Sequence, residues 1–371
     1  MKIVIATTSG FHLRHLAREL IALRRDVTYL TYLPKFRIIH DGIPLERARS
    51  YFWRLQPWST AALFRRLPGL QHQAVERMFE LTDRALARDM PPCDVFIGLS
   101  AMTVECARAA RRKYGAKIVL ERGSRHVLSQ NELVSGGAGR PLSKTYVDRE
   151  LAGYEIADYI ALPSEHAVES FVERGFDRSR LFKNAYGVDM GVFAPSPRPE
   201  GPTRLIYVGA WSFRKGCDVL EAMLAACPDL TLTHVGGRDD LEFPTLANFR
   251  SLGHRTHAEL REVLGDHRIL LLPSREDGFG MVLIEGLASG LAVIGSTKTG
   301  APDLLELIQN KEAVRLVPPA DMEALVGAIR NLSDWLRTQP LDRRILSDAD
   351  KENLSWTAYA RRYDDFLRAI V

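Results

Sequence analysis

The sequence predicts an α/β protein built from two Rossmann-like domains, whose parallel sheets face each other across a cleft. Three observations carry that prediction. Short apolar strand-like runs alternate with helical patterns along most of the chain, the arrangement that gives parallel sheets with helices on both faces. A proline-rich break divides the runs into two sets. The length of 371 residues exceeds what a single core ordinarily serves.

The first set of runs is KIVIAT, VTYLTY, DVFIGL, KIVLER and YIALPS. Each is a six-residue run rich in β-branched, aliphatic and aromatic side chains, so each reads as a strand. The break follows at Ala194–Arg204, APSPRPEGPTR, where prolines and a glycine occur with no apolar period. The second set is LIYVG, LTLTHVG, RILLLPS and LAVIGS. These runs place a first domain at 1–195 and a second at 200–350, with a final helix in 351–371 free to pack back on the first. Ligands of such sheets bind outside the carboxyl ends of the strands, which here means the cleft.

Bulk composition narrows the function classes. Hydrophobic residues make up 46% and charged residues 26%, as in a soluble globular protein. The N-terminal apolar run is too short for a signal peptide, and no stretch reaches membrane-spanning length. Cys93, Cys106, Cys217 and Cys227 lack any zinc spacing and fit a reducing compartment, so the cytoplasm is the expected location. A net charge of +4 suits anionic ligands and requires no nucleic acid. Between Arg47 and Arg66, Arg47, Arg49, Arg54, Arg65 and Arg66 interleave with Tyr51, Phe52, Trp53, Trp58 and Phe64. That pattern over 46–70 fits a helix peripheral on an anionic inner membrane face, and equally an excursion that packs its aromatics inward.

The segment SREDGFGMVLIEGLASG, Ser274–Gly290, carries the most chemistry. It reads as a turn entering a helix with almost no polar face, and within that helix stands Glu285. An ionised glutamate buried there costs several kcal/mol unless paired, and its helical neighbours Met281, Val282, Ala288 and Ser289 include no cation. Its partner is therefore either a distant cation of the chain or the hydroxyls of a ligand. Asp277 lies in the turn, where Gly278 and Gly280 flank Phe279 and let backbone amides approach a ligand. Earlier, LIYVGAWSFRKGCDVL gives a strand, a turn at Gly209, and Arg214 and Lys215 just before a helix, a pair suited to a diphosphate. One cleft would then hold cations for phosphates and carboxylates for hydroxyls, as a sugar nucleotide requires.

In the first half, Gly10 lies between the first strand and helix in TTSGFHLRHL, which is not a G-x-G-x-x-G and argues against a nicotinamide site. KIVLERGSRHVLSQ places Glu121, Arg122, Ser124, Arg125 and His126 together after a strand. A literal D-x-D at Asp348–Asp350 lies in a polar helical region and reads as a solvated face, so no metal is expected.

These segments resemble the retaining glycosyltransferases of family four (group 1 glycosyltransferases), whose architecture is called GT-B. DGFGMVLIE matches the family's glutamate-x7-glutamate signature, with Asp277 in place of the first glutamate. VGAWSFRKG, NAYGVDMGVF and ASGLAVIGSTKTGAPDLL match it as well. The resemblance implies a hexose transferred from a nucleoside diphosphate donor, UDP before GDP, to a glycan or lipid-linked glycan, without a cofactor. It assigns Arg214 and Lys215 to the diphosphate, Glu285 to the ribose, and Asp277 with the amides near Phe279 and Gly280 to the sugar. Gly209 and Gly10 border the donor. His126 is the histidine carried over to face the reacting sugar, with His12 and His15 as rivals. Base selection is expected around Gly236–Arg238 and Gly253–Arg255. Both motif carboxylates being assigned to binding, front-face substitution with proton transfer to the departing diphosphate is the expected mechanism. A sugar-nucleotide epimerase and a non-catalytic sugar-nucleotide-binding protein are the alternatives.

Overall fold

The computed structural model describes residues 1–8, 11–53, 71–137, 139, 141–196, 203–339 and 345–371. The first sheet comprises β1 (Lys2–Thr7), β2 (Asp26–Thr31), β3 (Ala48–Ser50), β4 (Val95–Leu99), β5 (Lys117–Glu121), β6 (Tyr159–Leu162) and β7 (Leu181–Lys183). The second comprises β8 (Leu205–Val208), β9 (Leu232–Val235), β10 (Phe249–Ser251), β11 (Ile269–Leu272), β12 (Ala292–Ser296) and β13 (Val314–Val317). All pairings are parallel, in the orders β3-β2-β1-β4-β5-β6-β7 and β10-β9-β8-β11-β12-β13. Every residue of β4, β11 and β12 is buried, as expected of strands covered on both faces by helices.

Both sheets reverse their strand order once, between β1 and β4 and between β8 and β11. At such a switch point the connections from neighbouring strands leave in opposite directions and open a crevice at the carboxyl ends. The loops beyond β8 and β11 carry Arg214, Lys215 and Asp277, and those beyond β1 and β4 carry His12, Ser100 and Met102. The two crevices face each other.

The chain crosses between the sheets twice. Around Val188 the outgoing segment pairs with the returning one, Val188 N donating to Leu354 O at 2.8 Å. The last helix, Trp356–Ile370, then packs on the helix Leu13–Ala22 of the first domain. Arg25 donates two hydrogen bonds to Asp364 (2.6 and 2.7 Å), and Thr357 Oγ1 donates to Glu19 at 2.8 Å. No helix among the described residues is long and apolar enough to cross a membrane.

Candidate functional site

The second-domain wall is built from two loops locked together. Arg275 donates to both oxygens of Asp218 (2.6 and 2.7 Å) and to Phe213 O (2.8 Å), with its guanidinium 3.8 Å from the Phe213 ring centre. This fixes the loop after β8 against the loop after β11. Arg214 Nη1 then donates to Glu276 O (3.0 Å) and Oε2 (3.1 Å), while Lys215 Nζ pairs with Asp277. Burial by itself would raise the Asp277 carboxyl, but Lys215 and Arg214 outweigh it and hold the group below its usual range. Glu276 is fully buried and held low in the same way, burial being outweighed chiefly by Arg214.

Beyond these groups the helix Met281–Ala288 begins at Gly280, whose φ of +77° favours glycine. A Cβ there would also lie 2.3 Å from Leu272 Cδ2. The free amides of this helix start open toward the same cavity, a favourable setting for an anion.

The first-domain wall rests on the buried ion pair Arg122–Glu150 and the buried carboxylate of Glu121. Arg122 donates to Glu150 (2.7 Å), Gln130 (2.6 Å) and the Tyr146 hydroxyl (2.9 Å). Glu121 accepts from the Tyr359 hydroxyl at 3.0 Å, and its other oxygen lies 3.1 Å from His12 Nε2. His12 also packs on Tyr186, ring centres 4.4 Å apart. The His12 ring is thereby fixed at the wall of the cavity that Lys215 and Asp277 also line.

Between the walls lies a cavity of about 570 Å3, lined among others by His12, Arg122, Gly209, Arg214, Lys215, Asp277, Phe279 and Gly280. A second cavity of about 420 Å3 adjoins it, sharing Phe11, His12 and Met281, and is lined by Glu285, Asp189, His257 and Trp356. Glu285 is 8% exposed, and its carboxyl has no hydrogen-bond or ion-pair partner among the described residues. Burial alone pushes it up to about 7.

The structure thus brings Gly209, Arg214, Lys215, Asp277, Phe279 and Gly280 to one cavity and Glu285 to its neighbour. Gly10 and residues 54–70 of the basic aromatic stretch lie outside the described residues; at its described edge Trp53 is 71% exposed.

His126 is a correction. Its ring lies among Tyr154, Phe171 and Phe176, away from the cleft, and its Nδ1 accepts from Leu128 N at 3.2 Å as the cap of the helix Val127–Ser135. Burial, with Arg174 nearby, lowers it to about 4, so the ring is neutral. Of the rivals, His12 lines both cavities, and His15 is stacked flat on Trp356 at 4.3 Å beside the second.

Gly278 lines the main cavity and also serves the domain contact: a Cβ on it would lie 1.9 Å from Gly123 O, so its bare backbone admits the opposite domain as well. The D-x-D is not a solvated face throughout. Asp350 is buried, accepting from Ser347 N (3.0 Å) and Gln309 N (2.8 Å), and among the described residues no cluster of His, Cys, Asp and Glu is placed to hold a metal. Gly236 and Gly253 meet each other, Gly236 N donating to Gly253 O at 3.0 Å, and border neither cavity.

Sequence reasoning missed Glu276 and Tyr186. The only signal for Glu276 was the doubled acid in REDG, of which Asp277 alone was chosen. Tyr186 lay in the quoted NAYGVD segment with nothing to show that it would wall the cavity.

Residues 202–334 match the family model described as glycosyl transferases group 1. Among curated proteins, the glycogen synthase of Mycobacterium tuberculosis is 28% identical over 209 residues, covering 51% of this chain and 49% of that protein. The GDP-mannose-dependent alpha-mannosyltransferase of the same species is 31% identical over 166 residues, covering 41% and 42%. The chain spans about half or less of the length of these curated relatives. Among solved structures, sucrose-phosphate synthase from Thermosynechococcus elongatus superposes with a TM-score of 0.67 at 19% identity over 100% of this chain and 99% of that one. Anabaena Alr3699/HepE in complex with UDP and glucose gives 0.65 at 14% identity, covering 99% of each chain. The chain has the two-domain GT-B fold of these glycosyltransferases throughout, and its segment 202–334 is the part that matches the group 1 glycosyl transferases.

Proposed function

We propose that the protein is a retaining glycosyltransferase that moves a hexose from a nucleoside diphosphate donor to a glycan or lipid-linked glycan. The observation that carries this reading is the pair of joined cavities. One offers Arg214, Lys215 and the helix start at Gly280 to a diphosphate, and the other offers the unpartnered buried carboxylate of Glu285 to ribose hydroxyls. A protein that needed Glu285 only for packing would have paired it, since an isolated buried carboxylate is destabilising.

The chemistry follows from what the groups can and cannot do. Asp277 is tied to Lys215, a poor state for a nucleophile, so a covalent double displacement has no unpaired carboxylate among the described residues that line the main cavity. Fixed cations instead stabilise the departing diphosphate, whose oxygen accepts the acceptor's proton on the same face of the sugar. His12, in the place that His126 was expected to fill, is the first-domain group facing the reaction. Its bond to Glu121 sets its orientation.

UDP is the first expectation for the base. HepE was solved with UDP and glucose, while the mannosyltransferase relative is named for GDP-mannose, which keeps GDP second. Thermal-shift measurement against UDP, GDP and ADP tests the site: the cognate diphosphate at a hundred times its dissociation constant stabilises by about 2.7 kcal/mol. Glu285→Ala should abolish the response while remaining folded. Retention of the full response in that variant would refute the ribose role. The anomeric configuration of the product, read by NMR, tests retention.

The lipid part of the proposal is supported by surface character. Phe36 (68% exposed), Ile39 and Trp53 stand out from the edge of the first sheet close in sequence to Lys35, Arg37 and Arg49. Flotation with anionic liposomes tests it; protein left at the bottom of the gradient with lipid acceptor present would count against it.

A further inference from the structure

Ser124 Oγ, on the first domain, donates to Glu276 Oε1 of the second at 2.7 Å. The other oxygen of Glu276 accepts from Arg214 Nη1 at 3.1 Å, and the carboxylate is wholly buried. Each oxygen thus serves one domain. Two residues on, Ser164 Oγ donates to Gly278 O at 2.6 Å, and Gly123 presses against Gly278 so closely that no Cβ fits. Asp277 lies between these two gripped residues. Arg214 uses only Nη1 toward protein groups, so Nε and Nη2 have no partner among the described residues, and the side chain lines the main cavity.

We propose that Ser124 and Glu276 form an interdomain catch that positions Arg214, so that the diphosphate clamp is completed only when the two domains meet. This rests on the donor reading above. Without Ser124, Glu276 Oε1 has lost its donor and one of the carboxylate's two anchors is gone. The carboxylate can then rotate, and the guanidinium that it holds moves with it. Misplacing a transition-state group by about 1 Å costs up to about a hundredfold in rate, whereas ground-state affinity, shared among Lys215, Glu285 and the helix amides, changes little. Ser124 and Glu276 are positioning residues in this scheme, since they act through Arg214.

The test uses the full chain with Ser124→Ala, Ser124→Thr and Glu276→Gln, and UDP-glucose and GDP-mannose as probe donors. Calorimetry with UDP and GDP gives ground-state affinity, and release of the diphosphate from the probe donor gives rate. Spin labels at the exposed positions 112 and 330 report the interdomain distance, with or without turnover. The expected result for Ser124→Ala is a melting temperature lowered by no more than about a few degrees, a nucleotide dissociation constant within about twofold of wild type, a rate lower by about tenfold or more, and a broadened distance distribution in the nucleotide complex. Ser124→Thr, which keeps the hydroxyl, restores rate and distance.

A wild-type distance distribution in Ser124→Ala, or a nucleotide affinity that falls in step with the rate, overturns the catch. A wild-type protein that binds neither diphosphate overturns the donor reading instead, and the catch falls with it. Glu276→Gln should keep the Ser124 bond but weaken the hold on Arg214, lowering rate without broadening the distance; broadening equal to that of Ser124→Ala would also count against the scheme.

Discussion

Lys215 and Asp277, 62 positions apart in the chain, form an ion pair in the floor of the cleft, each side chain mostly withdrawn from solvent. The pair joins the two switch-point loops of the second domain. It also ties up the Asp277 carboxylate at the cavity wall, and in the proposed reaction it keeps an ammonium beside the donor's diphosphate.

Lys215→Ala should therefore lower turnover by about 10²–10³-fold, the cost of removing one fixed group that stabilises developing charge. It should also lower the melting temperature, because Asp277 is left buried without its main partner. The double variant Lys215→Ala/Asp277→Asn should recover the melting temperature but not the turnover. Calorimetric scans and donor-release rates separate the two effects.

Glu285 sets a pH dependence of a particular sign. Its folded-state value is raised to about 7 by burial, so the native state holds a proton that the unfolded chain releases near its ordinary value. Stability then falls as pH rises from about 4.5 to about 7 and is level above, a loss of roughly 3 kcal/mol at most. Ribose hydroxyls would favour the ionised form, so nucleoside diphosphate affinity should rise with pH through about 7. Glu285→Gln should flatten both curves; urea titrations and calorimetry across pH 5–8 read them.

The two histidines should behave oppositely. His126→Asn keeps an acceptor for the helix start and should retain wild-type turnover, while removing the acid-side loss of stability between about 6.5 and about 4, where the unfolded chain takes up a proton that the buried ring refuses. His12→Asn should cost about a hundredfold in turnover with little change in nucleotide affinity. Equal losses in the two variants would return His126 to the reaction.

Gly278→Ala should hold the domains apart, since its Cβ would need the space occupied by Gly123 O. The expected outcome is near-normal nucleotide binding with turnover reduced at least as far as by Ser124→Ala.

What could be read from the chain divides along physical lines. That Arg214, Lys215 and Asp277 meet in one cavity was legible because they stand beside glycines just beyond strand ends, where a parallel sheet opens its crevice. Glu285 was legible because a carboxylate on an apolar helix must be explained by something. His126 was misread because a histidine just after a strand can cap the next helix or face a ligand, and only packing against Tyr154 and Phe171 decides between them. The choice of His12 depended on Glu121 and Tyr359, which come together through the return of a helix more than two hundred residues downstream. The approach of Gly123 O to Gly278 was not legible, because sequence alone does not show which backbone approaches a bare one.

The returning helix Trp356–Ile370 has a consequence for biosynthesis. Its residues Tyr359 and Asp364 complete the first domain, through Glu121 and Arg25, although they are made after the whole second sheet. The middle of the chain, with its own sheet from β8 to β13, is translated whole before then and can become native while the flanking domain still waits for its closing piece. Deletion of the helix Trp356–Ile370 should thus damage the amino-terminal domain first, and protease challenge of nascent chains should find the later-made domain protected earlier.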